Sequence, residues 1–129
     1  MIPLCIFAKP PRPGQVKTRL AAAVGDRRAA DLARAFVVDT RRGVEALAWA
    51  LPVLASTAPL GLALTGGHAE WPQGDGDLGA RLERVLARGI AQAGAALVIG
   101  ADSPGLPAGL LGMAREALDR ADVVLGPAD

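Results

Sequence analysis

Cysteine is almost missing from this sequence of 129 residues: Cys5 stands alone, so no intramolecular disulfide can form, which favours a reducing compartment. Cys5 lies inside an apolar run and reads as a small buried residue. Histidine also occurs once, and His68 has no partner at metal-ligand spacing, so it reads as a satisfied surface residue rather than a ligand or general base. A formal net charge of +1 lacks the positive excess of a nucleic-acid or membrane-surface binder. Trp49 and Trp71 are too scattered to form a stacking platform for single strands. No apolar run reaches the ~18 residues of a membrane span, and no basic segment precedes the apolar start of the chain. These absences predict a cytoplasmic, soluble protein without a nucleic-acid partner.

Hydrophobic residues make up 51% of the chain and charged residues 21%, which suits one domain, residues 1–129, burying roughly two-thirds of its unfolded surface. Residues 2–8 form a short apolar run that reads as a buried strand. From Asp26, read as an N-cap, Leu32, Phe36, Val44 and Leu47 recur near helical spacing, with Arg27, Arg28, Arg34, Arg41 and Arg42 between them as a solvated face. Residues 51–56 read as a second strand with Pro52 near its start, and 60–64 as a short third. The glycine-rich stretch 65–76 lacks any hydrophobic period and reads as a loop. Asp77 then caps a helix whose apolar stripe is Leu78, Leu82, Val85, Leu86 and Ile90. Residues 95–100 are apolar at both alternating sets of positions, as in a central parallel strand covered on both faces. A helix opened by Pro107 and a strand at 123–125 follow.

Strands alternating with helices predict βαβ units, hence an α/β fold with a mainly parallel sheet between two helical layers. Ligands of such sheets sit outside the carboxyl ends of the strands. The loop after the first strand, the turn at Asp102 and the segment 126–129 all belong to that edge.

The first of these is the most charged. Within CIFAKPPRPGQVKTRL, residues 5–20, Lys9, Arg12, Lys17 and Arg19 stand among prolines and a glycine with no acid nearby. Pro11 and Val16 occupy the glycine positions of a Walker loop, whose Lys-Ser/Thr the Lys17-Thr18 pair imitates, and the Gly-x-Gly-x-x-Gly fingerprint is missing too. Such a loop binds phosphate through side-chain charge, lysine as a point charge and arginine as a fork, or else is simply solvated. Asp102, directly after an apolar strand, suits a Mg²⁺ shared with substrate phosphates or an Asx turn held by Ser103-Pro104-Gly105. In the stretch 73–79, Gln73 and its flanking glycines suit recognition of a base or sugar, and Asp77 suits a cap.

Phe7-Ala8-Lys9-Pro10 with Gly14-Gln15-Val16-Lys17-Thr18-Arg19-Leu20, then Gln73-Gly74 with Gly76-Asp77-Leu78-Gly79 and Arg81, then Gly100 to Leu106 with Val124 to Asp129, occur in this order over nearly the whole chain. Together they resemble the bacterial glycosyltransferase family with the nucleotide-diphospho-sugar transferase (GT-A-like) fold, some of whose members are called arsenosugar-biosynthesis-type. The resemblance implies a three-layer αβα, Rossmann-like domain and a metal-dependent transferase using a nucleotide-diphospho-sugar and Mg²⁺ or Mn²⁺. It implies Lys9, Lys17 and Arg19 at the phosphates, with Arg12 and Thr18 in the same loop, and Asp102 at the metal. Gln73, Asp77 and Arg81 fall on its middle motif.

In that family the closing motif runs on into Asp-Gly-Gly-Tyr and further elements, so the resemblance implies that these 129 residues are the donor-binding part of a longer fold and that any general base lies beyond them. The alternatives are a guanylyltransferase-like nucleotidyltransferase, which takes a nucleoside triphosphate and releases pyrophosphate, and a catalytically incomplete nucleotide-binding module. An open edge in such a fold also allows a homo-oligomer.

Overall fold

The computed structural model describes residues 1–16, 18–101 and 108–120. The expectations at Lys17, Asp102 to Pro107 and the strand and motif of 123–129 lie outside them. The chain runs β1 (Ile2–Ala8), α1 (Thr18–Val24), α2 (Asp26–Glu45), β2 (Ala50–Ser56), α3 (Leu62–Thr65), β3 (Ala69–Pro72), α4 (Leu78–Ala93), β4 (Leu97–Gly100) and α5 (Ala108–Leu118). The described strands form one sheet in the order β3-β2-β1-β4, every pair parallel. The fold is therefore α/β, as the alternation of elements predicts.

Strand β1 is buried because it has a neighbour on each side, and its period of two divides the core. Leu4, Ile6 and Ala8 point to one face, where they pack with Val37 and Val44 of α2, Leu64 of α3 and Leu111 of α5. Cys5 points to the other, with Val53, Ala55, Trp71 and Val85 of α4. The two prolines inside strands respect the ladder. Pro3 precedes Leu4, where pairing with β4 begins, and Pro52 precedes Val53, where pairing with β3 begins. Each missing N–H thus falls where its strand has only one neighbour. Gly89 lets α4 lie close to the segment entering β4, since a Cβ there would come within 2.6 Å of the Ala96 methyl.

Several local expectations are corrected. Residues 60–64 hold the one-turn helix α3, not a strand: Gly61 at φ 89° and Gly66 at φ 62° bracket it with conformations that interrupt extended backbone. The stretch 65–76 is not all loop, because Ala69–Pro72 pair with Val53 to Ser56; with only Trp71 buried, this strand carries no alternating signal. Helix α1 was not expected from the basic stretch. Gly25 rather than Asp26 is the N-cap of α2 and supplies no side-chain bond.

The faces also differ in detail. The buried side of α2 is Ala29, Ala30, Ala33, Val37, Thr40, Arg41 and Val44, whereas Leu32 is 39% exposed. Arg41 is not solvated: Nε donates to the Leu64 carbonyl at 2.9 Å and Nη1 pairs with Glu45 at 3.1 Å, tying α2 to α3. On α4, Leu78 and Ile90 are exposed and the inward contact is made by Val85 and Gly89. Strand β4 is at an edge of the described sheet and only half-buried.

Candidate functional site

All four described strands run the same way, so their carboxyl ends share one rim. The residue immediately after each of them, Lys9 after β1, Thr57 after β2, Gln73 after β3 and Ala101 after β4, lines one hollow of about 560 Å³. Strands β1 to β3 step outward in one direction and β4 returns on the far side of β1, so the chain reverses between β1 and β4. Ala8 and Ala101 both line the hollow at this crevice, where parallel sheets hold their ligands.

Charge in the hollow has one sign. Lys9, Arg19 of α1 and Arg81 of α4 line it, and no carboxylate does so among the described residues. Apolar walls come from Phe7, Val16, Ala33 and Val37. Val16 is buried against Ala30 and Ala33, which anchors the end of the basic loop to α2. Arg81 Nε is buried and has no hydrogen-bond partner among the described residues. An unpaired buried donor of a permanent cation is costly unless an acceptor arrives from elsewhere.

Gln73 is buried and does two jobs. Its backbone N–H donates to Ser56 O at 2.8 Å, continuing the β2–β3 ladder. Its Nε2 donates to Ala55 O at 2.8 Å and Ala8 O at 3.3 Å, bridging the ends of β2 and β1. With both amide hydrogens committed to carbonyls, the group it can still offer a ligand is its acceptor oxygen, suited to a hydroxyl or N–H. Asp77 is the N-cap of α4, its Oδ1 accepting from Ala80 N at 2.9 Å, and it does not line the hollow. Arg12 is exposed outside it; its backbone shapes the turn, N–H to Pro10 O and C=O from Gln15 N. Lys17, the side chain of Thr18 and Asp102 lie outside the described residues.

Thr57 also lines a second hollow of about 390 Å³, with Ser56, Pro59, Glu70 and Pro72. Here the charge is reversed. Glu70 Oε2 accepts from Ser56 Oγ at 2.5 Å and from Leu60 N at 3.1 Å, so one oxygen holds the loop after β2. Both the Thr57 contact and Glu70 escaped sequence reasoning, because Glu70 sits in the unrecognised strand β3. Arg84 escaped it too; Nη1 donates to the carbonyls of Gln73 at 2.6 Å and Asp75 at 2.9 Å.

Other candidates are accounted for elsewhere. Burial pushes the Cys5 thiol up to about 12, leaving it a core residue and not a nucleophile. His68 Nε2 lies 2.7 Å from Glu45 Oε2, and this hydrogen bond, with Arg41 nearby, lowers the Glu45 carboxyl below its ordinary value. No group of three or more His, Cys, Asp or Glu placed to hold a metal occurs among the described residues. None of the described helices is long and apolar enough to cross a membrane.

Residues 24–129 match the family described as an uncharacterized protein conserved in bacteria (DUF2064). The chain belongs to this family. Its fold is similar to that of a crystal structure from Desulfovibrio desulfuricans G20 named a putative nucleotide-diphospho-sugar transferase, with 29% sequence identity and a TM-score of 0.80. That similarity covers 91% of this chain and 54% of the other, so the chain spans about half the length of that protein. No curated protein matches the chain.

Proposed function

We propose that this chain supplies the donor-binding part of a metal-dependent transferase acting on nucleotide-diphospho-sugars. One observation carries the reading: Lys9, Arg19 and Arg81 converge, without a carboxylate among the described lining residues, on a hollow at the switch point of a parallel sheet. A diphosphate there meets two guanidinium forks and one ammonium, and gives Arg81 Nε the acceptor that the described residues do not supply. The likeness to a protein named a nucleotide-diphospho-sugar transferase supports the same choice.

The described lining residues hold no metal by themselves, since they offer cations and no carboxylate. In this reading Asp102, next in sequence after the lining residue Ala101, would hold Mg²⁺ or Mn²⁺. The metal supplies neutralisation of the leaving diphosphate. The protein's part is a fixed cationic wall that stabilises the same charge as it develops. The adjoining hollow gives the ligand its direction. A carboxylate repels phosphate and accepts from N–H and O–H groups, so the nucleoside points towards Glu70 and the diphosphate towards Lys9 and Arg19.

Thermal denaturation against nucleoside diphosphates and their sugar conjugates, with Mg²⁺ and with EDTA, tests the site. Ligand at ~100 times its dissociation constant adds about 2.7 kcal/mol. A base-selective, metal-dependent shift is expected; no shift from any of them in a cooperatively folding protein overturns the reading. The product then identifies the reaction: released nucleoside diphosphate marks sugar transfer, and pyrophosphate marks nucleotidyl transfer.

A further inference from the structure

Between β3 and α4 the loop 73–77 carries Gln73 into the site at one end and caps the helix that bears Arg81 at the other. Nothing in the loop's sequence makes it rigid, for Gly74 and Gly76 adopt φ 79° and 103°. What fixes it is a cation. Arg84 Nη1 sits in the concavity of the loop and donates to the carbonyls of both Gln73 and Asp75. Gly74, between those carbonyls, lies so close over the guanidinium that a Cβ there would fall within 2.4 Å of Nη1. Arg84 is one turn after Arg81 on α4, so the clasp joins the loop to the helix that carries Arg81, whose Nε is buried without a hydrogen-bond partner among the described residues.

We infer that Arg84 is a positioning residue of the anion site, acting through Gln73 and Arg81 without touching the ligand. This rests on the function proposed above. Its physical content is entropic and geometric. Two carbonyls held by one planar guanidinium leave Gln73 a single orientation, in which its amide bridges Ala55 and Ala8, the residue that precedes Lys9. Release of the clasp frees two left-handed glycines and loosens the loop that presents Gln73 and leads into the cap of α4.

The test compares the unmodified chain with Arg84→Ala, Arg84→Lys, Gly74→Ala and Arg88→Ala, using calorimetric titration with inorganic pyrophosphate and with the nucleoside diphosphates in the presence of Mg²⁺. Arg84→Ala is expected to weaken binding roughly tenfold, the lower end of what outer-layer partners contribute at metal sites. Lysine keeps the charge but not the fork, so Arg84→Lys is expected not to restore affinity; full restoration would reduce the effect to long-range charge and overturn the inference. Gly74→Ala crowds the guanidinium and also strains a left-handed backbone position, so it is expected to weaken binding at least as much as Arg84→Ala; binding as tight as in the unmodified chain would overturn the clasp. Arg88→Ala removes the same charge one turn farther along α4, where Arg88 stacks on Trp71, and is expected to leave affinity unchanged. Amide exchange without ligand gives an independent reading: Arg84→Ala should speed exchange at residues 73–77 and spare 82–92, and uniform exchange overturns the clasp. Binding to the unmodified chain with equal binding by the Arg84 variants overturns the positioning role alone. Failure of the unmodified chain to bind either probe overturns the proposed function and this role together.

Discussion

The side-chain nitrogen of Gln73 lies 2.8 Å from the carbonyl oxygen of Ala55, and the same nitrogen reaches Ala8 at 3.3 Å. One amide thus fastens the exits of β1 and β2, and these exits lead directly to Lys9 and, one residue past Ala55, to Ser56 and Thr57. Order in the floor of the hollow and stability of the sheet are consequently the same interaction. Gln73→Ala is expected to cost about 1 to 3 kcal/mol, two hydrogen bonds at ~0.5–1.5 each, and to weaken ligand binding as well. Urea denaturation with parallel binding measurements checks this; a full loss of affinity at unchanged stability would make Gln73 a ligand contact and not a strut.

Arg81 and Arg19 face the same hollow from different helices, yet Arg81 Nε is the buried one without a partner among the described residues. Each alanine variant is expected to weaken nucleotide binding by roughly 1.5 to 3 kcal/mol, the range for hydrogen bonds to charged groups. Neither should lose stability. Arg81→Ala removes an unsatisfied buried donor and is expected to leave the unliganded protein as stable or slightly more so, while exposed Arg19→Ala is expected to change stability by less than about 0.5 kcal/mol. Unfolding midpoints measured without ligand separate these outcomes from a merely structural role, which would lower both.

Much of this arrangement is legible in the sequence because the signals are strong where burial is complete. The apolar runs of β1 and β2 are of this kind, and the exposed Asp77 cap is legible for a different reason, its local bond to Ala80 N. Once a parallel sheet is expected, the rim follows and carries the loop of Lys9 and Arg19, whereas Gln73 is read from its glycine-flanked stretch and Arg81 only from the family resemblance. What fails is what depends on partners distant in sequence. Strand β3 exists because Val53 to Ser56 provide a ladder for Ala69–Pro72, not because Ala-Glu-Trp-Pro prefers extended backbone. Arg41 reads as one more surface arginine until the Leu64 carbonyl appears beside it, 23 residues away. Leu78 and Ile90 continue the stripe of α4 by spacing, but the sheet meets only the middle of that helix, at Val85 and Gly89.

Glu70 offers a test of ligand direction that does not involve the cations. Glu70→Gln keeps the side chain's size but replaces a carboxylate by an amide, so Ser56 Oγ and Leu60 N retain an acceptor. With the nucleoside directed to this hollow, the variant is expected to lose selectivity among bases, or between ribose and deoxyribose, while binding inorganic pyrophosphate as before. Competition titrations with matched nucleotides read this directly. An equal loss for pyrophosphate would place Glu70 behind the phosphate site and reverse the direction assigned to the ligand.

Cys5 sets a limit at the alkaline end. Its side chain is fully buried between β1 and α4, and desolvation raises the thiol from its ordinary 9.0 to about 12, an effect that the Arg88 charge only partly offsets. Above pH 9 the unfolded chain gives up the thiol proton while the folded chain keeps it. The unfolded state then binds fewer protons, so stability falls by up to about 1.4 kcal/mol per pH unit until the folded thiol also ionises near 12. Below pH 9 this group leaves stability independent of pH. The chain is well suited to the measurement, since it has no tyrosine and Lys9 and Lys17 are its only lysines. Cys5→Ala should flatten the alkaline limb of the stability curve between pH 9 and 12, although the smaller side chain lowers stability throughout. The native thiol should also resist alkylating reagents at pH 8 on the timescale over which the urea-unfolded chain is labelled. Rapid labelling of the folded protein, or an unchanged alkaline limb in the variant, would mean that the α4 face of the sheet opens to water, and with it the packing that carries Arg81 to the site.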